Sequence, residues 1–314
     1  MDHVDRLSRL ELQNLSRRSG VRGIADAVTT WAVILVSAWL GAKLGTWWSV
    51  ALAWIAIASR QAALANLAHD AWHRLCLPSA RANDLMGAWL YSYAVGIPFF
   101  HDRRRHLKHH KLVGLTEDPD WVNYTNVGRE TPERIVLFFA GRLAGNLLWS
   151  TVWSVVAKRK PRIALADDSA NPREPKHEML YVALCQVLLV ALFTLVAGIW
   201  GYLLFWLLPL ATLAACCNNL RAFVEHACAE ADASSRERLR DIDASLVEQL
   251  FLSPAHFHFH ALHHAHPSIP HYRLARAKQA LIAEHGSYPY PVLPGYMRAL
   301  RAHLATLRTK HELS

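Results

Sequence analysis

Nineteen of the 314 residues are histidines, and fourteen of these lie in two stretches, 69–110 and 226–271. Within them the sequence contains three short boxes: HDAWH at 69–73, HLKHH at 106–110 and HALHH at 260–264. Residues three or four positions apart on a helix share a face, so the imidazoles of one box can reach a common ion. Together with the isolated His226, the candidate ligands are His69, His73, His106, His109, His110, His226, His260, His263 and His264.

Nine imidazoles are more than one structural metal site requires. A closed zinc site has four ligands, whereas nine nitrogens fit two ions with four or five each and open positions. Neutral imidazole suits iron, copper, nickel and zinc, so ligand type alone leaves the metal undecided. The HExxH pattern of zinc peptidases is absent. We therefore expect a histidine-rich site that holds two metal ions. If the metal is redox-active, such a site would support O2 chemistry on unactivated C–H bonds.

Charge-free runs predict the elements that carry the boxes. Apolar residues make up 53% of the chain and charged residues 19%, which is typical of a membrane protein. No charged side chain occurs in 27–42, 44–59 or 179–220. As one helix the last run would be ~63 Å long, about twice the thickness of a bilayer. We therefore expect it to fold back near Gly198 and Gly201.

The predicted fold is an all-α integral membrane protein with four transmembrane helices in two hairpins. A cytoplasmic helical cap carries the histidine-rich di-metal site. The predicted spans are at about 24–42, 44–67, 179–197 and 200–219.

The boxes must lie on one face of the membrane if they share a site. The chain between successive boxes then crosses the bilayer an even number of times, so the weaker apolar runs at 85–100 and 143–157 are predicted not to span it. Arg and Lys are concentrated before the first span and in the central segment, whereas the hairpin turns hold only Lys43. This bias predicts that both termini and the site are cytoplasmic. It also accounts for the net charge of +9 through topology and membrane lipids, without nucleic acid.

We divide the chain into three parts. Residues 1–23 form a basic cytoplasmic N-terminal segment, 24–275 the catalytic membrane domain, and 276–314 a cytoplasmic helical tail. The charged stretch 229–245 is predicted to be a further cytoplasmic helix. The five cysteines show neither a disulfide framework nor the spacing of a ferredoxin cluster. We therefore expect reduced thiols and electrons from a separate carrier.

The boxes resemble those of a known superfamily. HDAWH, HLKHH and HALHH, the last followed by HPSIPHYRL at 266–274, are similar to the three histidine boxes of integral-membrane fatty acid desaturases and hydroxylases. Asp118-Pro119-Asp120 and Arg221-x-x-x-Glu225-His226 are also similar to that superfamily. The resemblance implies two non-haem iron ions held by the nine histidines, O2 as oxidant and a lipid or acyl substrate. It also implies an external electron carrier, either a ferredoxin or a b-type cytochrome with its reductase.

Other side chains near the boxes are candidates for orienting the ligands. Ligating histidines usually donate their second ring N–H to a carboxylate, and the nearby carboxylates are Asp70, Asp118, Asp120 and Glu225. An Asx turn around Pro119 explains two of these equally well.

Five more histidines lie near the boxes. His258 stands where superfamily members often have asparagine, and we consider it an additional ligand or a hydrogen-bond partner of one. If the chain is extended there, His256, His258 and His260 point to one side. We expect structural or supporting roles for His256, His266 and His271, and no metal for His101.

The leading hypothesis is an O2-dependent di-iron desaturase that introduces a C=C bond into an acyl chain of a lipid or a thioester. No catalytic side chain is predicted beyond the metal centre. Hydroxylation of a lipid or small amphiphile at the same site is the alternative. A histidine-rich metal transporter or a bis-histidine haem protein is more distant. Such proteins place polar ligands within their spans, whereas the four predicted spans contain no histidine.

Overall fold

The described part of the chain is almost entirely helical. A computed structural model describes residues 6–113, 115, 117–120, 131–156, 177–226 and 239–312. In chain order the helices before the second hairpin are α1 (Arg9–Leu15), α2 (Gly20–Leu44), α3 (Trp47–Trp72), α4 (Ala80–Met86), α5 (Phe99–Leu112), α6 (Pro132–Leu143) and α7 (Asn146–Val156). Those that follow are α8 (Glu178–Ala197), α9 (Leu203–His226), α10 (Leu246–Phe251), α11 (His260–Ala265), α12 (Leu274–His285) and α13 (Tyr296–Glu312). Of these helices, α2, α3, α8 and α9 are long and apolar enough to cross a membrane.

The first hairpin joins α2 to α3 through a turn at Gly45 and Thr46. Gly45 has a left-handed φ of 61°, which glycine adopts without strain, and its N–H donates to the carbonyl of Gly41. The hydroxyls of Thr46 and Ser49 each accept the other's backbone N–H, which forms a capping box at the start of α3. A Cβ on Gly41 would lie 3.0 Å from the Cβ of Ala53, so the glycine allows the two helices to pack closely.

The second hairpin joins α8 to α9 at Gly198 and Gly201, where the sequence predicts the break. Gly198 ends α8 with a φ of 81°. A Cβ on Gly201 would lie only 2.2 Å from the carbonyl oxygen of Phe193, which excludes larger residues there. In α9, π-helical segments lie on either side of Pro209. Proline lacks a backbone donor, so it interrupts the regular α-helical ladder. The prediction of four apolar helices in two hairpins is confirmed.

Two of these helices continue beyond the predicted spans. α3 extends past residue 67 to Trp72, and α9 extends past residue 219 to His226. A helix can continue into polar sequence because its backbone hydrogen bonds do not depend on apolar side chains. A charge-free run therefore marks the apolar part of a helix but not its end. Both extensions carry histidines of the site, His69 and His226.

The two weaker apolar runs do not form long helices. In 85–100, α4 passes into a π-helical stretch that ends at Ser92, and a turn at Gly96 precedes α5. In 143–157, a turn at Gly145 separates α6 from α7. α7 has 11 residues and is ~16 Å long, about half of a ~30 Å hydrocarbon core. Both observations agree with the prediction that these runs do not span the membrane.

The remaining elements form a cap that packs against the ends of α3 and α9. Leu15 of α1 shares an apolar cluster with Leu262 of α11 and Leu281 of α12. Tyr296 of α13 shares another with Ile135 and with Phe223 of α9. The N-terminal segment and the C-terminal tail therefore both pack against the elements that carry the boxes.

A short strand replaces part of the helix predicted for 229–245. Residues 227–238 lie outside the described part of the chain. Asp241–Ile242 (β1) pairs in parallel with Val292–Leu293 (β2), so the helix prediction is wrong for this part. The carboxylate of Asp241 is buried, accepts the N–H of Leu262 at 3.2 Å and also bonds the hydroxyl of Tyr288. The carboxylate of Asp241 therefore holds box three in place through the N–H of Leu262, and it is not part of a solvated helix face.

Candidate metal centre

The nine predicted histidines assemble into two adjoining clusters, within each of which the ligand atoms lie within 4.8 Å of one another. The first, which we call the five-histidine cluster, contains His69, His73, His106, His110 and His263. The second, the four-histidine cluster, contains His109, His226, His260 and His264. Residues separated by up to 195 positions in the sequence therefore meet at one end of the helix bundle.

Helical geometry divides the second and third boxes between the clusters. In α5, His106 and His110 are four residues apart and face the five-histidine cluster, whereas His109 faces the other. In α11, His260 and His264 belong to the four-histidine cluster and His263 to the five-histidine cluster. The clusters consequently lie side by side, with the rings of His110 and His264 stacked at 4.0 Å.

Distances between ring nitrogens match those of ligands on a shared ion. The Nε2 of His106 lies 2.9 Å from the Nε2 of both His73 and His110, and the Nε2 atoms of His226 and His260 are 2.8 Å apart. Two nitrogens bound at ~2.1 Å and at a right angle would be ~3.0 Å apart. A single N–H on His106 could not donate to two neighbours at once, so hydrogen bonding alone does not explain this convergence.

Other buried ring nitrogens have no hydrogen-bond partner. Among the described residues, neither ring nitrogen of His69 or His264 has one, and the same holds for Nε2 of His263. Buried polar atoms are normally paired, so such a group of nitrogens requires an explanation. A metal ion in each cluster would be the missing partner, and the residues present fit that role.

The electrostatics of the clusters favour neutral imidazoles. Burial lowers the pKa of His73 to about 4, with the charge of Arg103 as a second cause. Burial also lowers the pKa of His110 to about 2, and the neighbouring imidazoles of His73 and His109 add to the effect. The pKa values of His106, His260, His263 and His264 are well below the usual range for the same reasons. Neutral imidazole is the form that binds a metal.

Asp118 orients His109 through a buried hydrogen bond. The Nδ1 of His109 lies 2.9 Å from both carboxylate oxygens of Asp118, and a proton on Nδ1 leaves Nε2 free to bind a metal. The N–H of Asp120 donates to Asp118 at 2.8 Å, which is the predicted Asx turn. The carboxylate of Asp118 thus both bonds a box histidine and forms the Asx turn, the two roles considered for it from the sequence. Asp120 itself bonds Arg105, and its nearer oxygen is 4.0 Å from His109.

Glu225 is a second carboxylate beside the four-histidine cluster. This fully buried carboxylate accepts the hydroxyl of Tyr296 at 2.7 Å and lies 3.2 Å from the guanidinium of Arg221. Its second oxygen is 3.5 Å from the Nδ1 of His260. Tyr296 was not predicted as part of the site, because it lies 71 residues away in α13 and carries no local motif.

The remaining candidates lie beside the clusters and outside them. Asp70 accepts the backbone N–H of His271 at 3.0 Å, and the ring of His271 lies 3.1 Å from the carboxylate of Asp26. Asp70 therefore fixes the HPSIPHYRL segment against α3 and does not bond a cluster histidine through that oxygen. Residues 254–258 form turns, so the condition under which His256, His258 and His260 would point to one side is not met.

The structure places His256, His258, His266 and His101 outside both clusters. The His258 ring lies 4.2 Å from Phe259 and 5.9 Å from His256. His266 is buried, with its N–H bonded to the carbonyl of Leu262. The backbone N–H of His101 donates to Glu178 at 3.2 Å.

Two further positioning residues were not predicted. Glu178, the first residue of α8, accepts the N–H groups of Phe100 and His101 and so caps α5, which has no side-chain cap of its own. Arg103 is buried; it donates to the carbonyl of Trp72 at 2.9 Å and pairs with Asp84 at 3.1 Å. It ties the end of α3 to α5. Neither role has a signal in the local sequence, because the partners are distant in the chain.

Comparison with known proteins assigns this architecture to a family. Residues 45–294, which include all nine clustered histidines, match the fatty acid desaturase family. The chain belongs to the fatty acid desaturase family. An sn-1 oleoyl-lipid 12-desaturase from Arthrospira platensis is 21% identical over 291 residues, covering 85% of this chain and 80% of that protein. An sn-1 oleoyl-lipid 12-desaturase from Synechocystis sp. is 23% identical over 193 residues, covering 58% and 54%.

This membership agrees with the resemblance carried by the boxes. The desaturase-family chain is a multi-pass membrane enzyme, and its family implies a lipid substrate and O2. A third relative, an sn-1 oleoyl-lipid 12-desaturase from Anabaena variabilis, is 25% identical over 174 residues and covers 53% of this chain and 47% of that protein.

Proposed function

We propose that the chain is an O2-dependent fatty acid desaturase with one iron ion in each histidine cluster, acting on an acyl chain. The observation that carries the proposal is the division of nine imidazoles into sets of five and four. The three relatives compared above are acyl-lipid desaturases, which favours a lipid-bound chain over a soluble thioester.

Iron suits the clusters better than zinc does. Zinc sites in proteins are usually four-coordinate and have no redox chemistry, whereas the first cluster offers five nitrogens. Bound iron would supply the redox chemistry that activates O2 for oxidation of an unactivated C–H bond. In the described residues no carboxylate belongs to either cluster, so the donor set is all imidazole.

The protein's own residues hold the rings in place and keep water out. The aromatic side chains of Phe257 and Trp72 lie beside His69 and His106, with ring centroids 4.5 and 5.3 Å apart. The guanidinium of Arg221 covers the outer face of Phe257 at 4.1 Å. A dry, enclosed site protects a reactive oxidant from side reactions with solvent.

The orientation and the electron donor belong to the same proposal. The distribution of Arg and Lys favours a cytoplasmic location for both clusters and both termini. Lys108 and Lys111 are exposed on α5, directly beside the histidines of box two. A basic surface this close to the proposed metal centre would attract an acidic ferredoxin or cytochrome.

Two measurements on the purified full-length chain test this function. We expect two irons per chain, and loss of the acyl product in His109→Ala and His263→Ala, one variant for each cluster. His285→Ala is a matched control, because His285 lies in α12 outside both clusters. A chain that is fully active without iron contradicts the proposal.

Product mass separates desaturation from the hydroxylase alternative. A desaturase product has lost two hydrogens, whereas a hydroxylase product has gained one oxygen. Metal flux into vesicles without O2 consumption would instead support a transporter. The clusters lie at the ends of α3 and α9 and not at mid-span, which speaks against transport.

A further inference from the structure

A basic cleft lies beside the HPSIPHYRL segment, which contributes Tyr272 and Arg273 to it. It has a volume of about 430 Å³ and is lined by Ser19, Arg22, His256, Tyr272, Arg273 and Arg276. Such a volume is within the ~300–1,000 Å³ range of small-molecule sites. Within the described part of the chain, three arginines and no carboxylate line it. Two segments that are distant in the chain meet here, since Ser19 precedes the first span and Tyr272 follows box three.

The cleft is built by contacts between these two segments. The N–H of Ser19 donates to the hydroxyl of Tyr272 at 2.8 Å, and Arg273 donates to the carbonyl of Asn14. The guanidinium carbons of Arg22 and Arg273 lie 5.9 and 6.0 Å from the centre of the Tyr272 ring. Two like charges are therefore held around one aromatic ring.

The positive charge of the cleft is only partly balanced. Arg22 pairs with Asp26 at 3.3 Å, but the same carboxylate also bonds the ring of His271. Arg273 bonds a neutral carbonyl, and Arg276 is exposed on α12. Converging guanidinium groups with a hydroxyl beside them are the donors that proteins use for phosphate. The geometry therefore points to an anion that carries several acceptor oxygens.

We propose that this cleft binds the phosphate of a membrane phospholipid. The cleft lies at the first turn of α2, where the first span begins. Val21, Ile24 and Val28 follow on one face of α2 and are 82%, 55% and 61% exposed. A lipid with its phosphate in the cleft could lay an acyl chain along this apolar stripe.

The site is close to the proposed metal centre but separate from it. His256, which lines the cleft, stacks on His271 at 6.1 Å, and His271 lines a small crevice beside His260 and His263. One layer of histidines thus separates the phosphate site from the clusters. Binding of a phosphate in this cleft does not depend on the reaction proposed for the clusters.

Calorimetric titration of the full-length protein in uncharged detergent micelles tests the proposal. The probes are short-chain phosphatidylglycerol, a short-chain glycosyl diacylglycerol without phosphate, and glycerol phosphate without acyl chains. We expect phosphatidylglycerol to bind at least tenfold more tightly than either of the others, which corresponds to ~1.4 kcal/mol or more. Equal affinity for the glycolipid would overturn phosphate recognition. Equal affinity for glycerol phosphate would assign the cleft to a soluble anion and overturn the lipid assignment.

Variants connect that binding to the cleft. Arg22→Gln with Arg276→Gln is expected to weaken phosphatidylglycerol binding about tenfold or more, whereas Arg298→Gln with Arg301→Gln removes the same charge from α13 and leaves it unchanged. If the first pair impairs folding, as judged by thermal melting, the phosphatidylglycerol affinity of Arg276→Gln alone tests the proposal. That side chain is exposed, so its replacement should leave the fold intact. Unchanged affinity in the soluble variants overturns the proposal. The proposal is also overturned if the cleft variants lose binding of an acidic ferredoxin but keep their affinity for phosphatidylglycerol. That result would show that the cleft is a protein-docking surface.

Discussion

Both carboxylate oxygens of Asp118, which is buried, lie 2.9 Å from the Nδ1 of His109, a member of the four-histidine cluster on α5. This contact fixes which ring nitrogen of His109 faces the cluster. The Asx turn that Asp118 makes with the N–H of Asp120 holds the carboxylate itself in place. A loop motif that follows the second box thus sets the tautomer of a proposed ligand.

Asp118→Asn should lower iron content and activity together. The amide cannot stabilise the Nδ1–H tautomer as a carboxylate does, and loss of such a partner typically costs ~10–100-fold in metal affinity or activity. We expect the mean iron content to fall below two per chain, measured by elemental analysis after gel filtration. Asp243→Asn is the control, because Asp243 is exposed and lies outside the clusters. Full iron occupancy in Asp118→Asn would refute this role.

Tyr296→Phe should destabilise the fold more than it changes the chemistry. The substitution removes the hydroxyl that donates to Glu225 at 2.7 Å and leaves a buried carboxylate short of one donor. Such an unsatisfied group costs ~1–3 kcal/mol. The measurement is the thermal unfolding midpoint in detergent, which we expect to fall by several degrees.

The matched control for that variant is Tyr181→Phe, which removes a hydroxyl from a side chain 43% exposed on α8. Its melting temperature should be close to that of the parent. Equal melting temperatures for both variants and the parent would show that the Tyr296 hydroxyl contributes nothing to stability.

Iron-free protein should lose stability as the pH falls below 6.5. The folded pKa of His73 is about 4 and that of His110 about 2, both below the value of ~6.5 for an unfolded histidine. Between those values the unfolded chain takes up protons that the folded chain does not, so unfolding becomes easier as acid is added. Asp102 and Asp241, with pKa values raised to about 6 by burial, act in the opposite direction between about pH 4 and 6. The buried imidazoles outnumber them.

Chemical denaturation of chelated protein at a series of pH values measures this dependence. We expect a lower free energy of unfolding at pH 5 than at pH 7. His110→Gln should reduce the slope, because it removes one of the groups whose pKa is most depressed. A slope of the opposite sign, or one that His110→Gln leaves unchanged, would contradict the assignment of the pH dependence to the clusters.

The sequence predicted the parts of this molecule that follow from local patterns. Charge-free runs located the four apolar helices, and glycines located the turn of the second hairpin. The spacing of histidines within the boxes identified eight of the nine members of the clusters, and the isolated His226 is the ninth. These features depend on residues a few positions apart, whose relative placement a helix determines. The prediction that the imidazoles of one box reach a common ion is wrong for boxes two and three, because His109 and His263 face a different cluster from the other two histidines of their box.

Features that depend on distant contacts could not be predicted. Glu178 caps α5 from the start of another helix, and Tyr296 reaches Glu225 from α13. The stretch 229–245 was predicted as a helix from its charges, yet the carboxylate of Asp241 is buried against box three. A charged residue looks the same in sequence whether water or a distant N–H satisfies it, and only the fold decides between them.

The interleaving of the boxes has a consequence for assembly of the enzyme. His109 and His110 are neighbours on one turn of α5 but face different clusters, and the same is true of His263 and His264 on α11. Any occupant that immobilises one cluster therefore also restricts the rings of the other. Binding of a metal ion to one cluster would therefore favour binding to the other. Molecules that hold a single ion would be scarce compared with molecules that hold none or two.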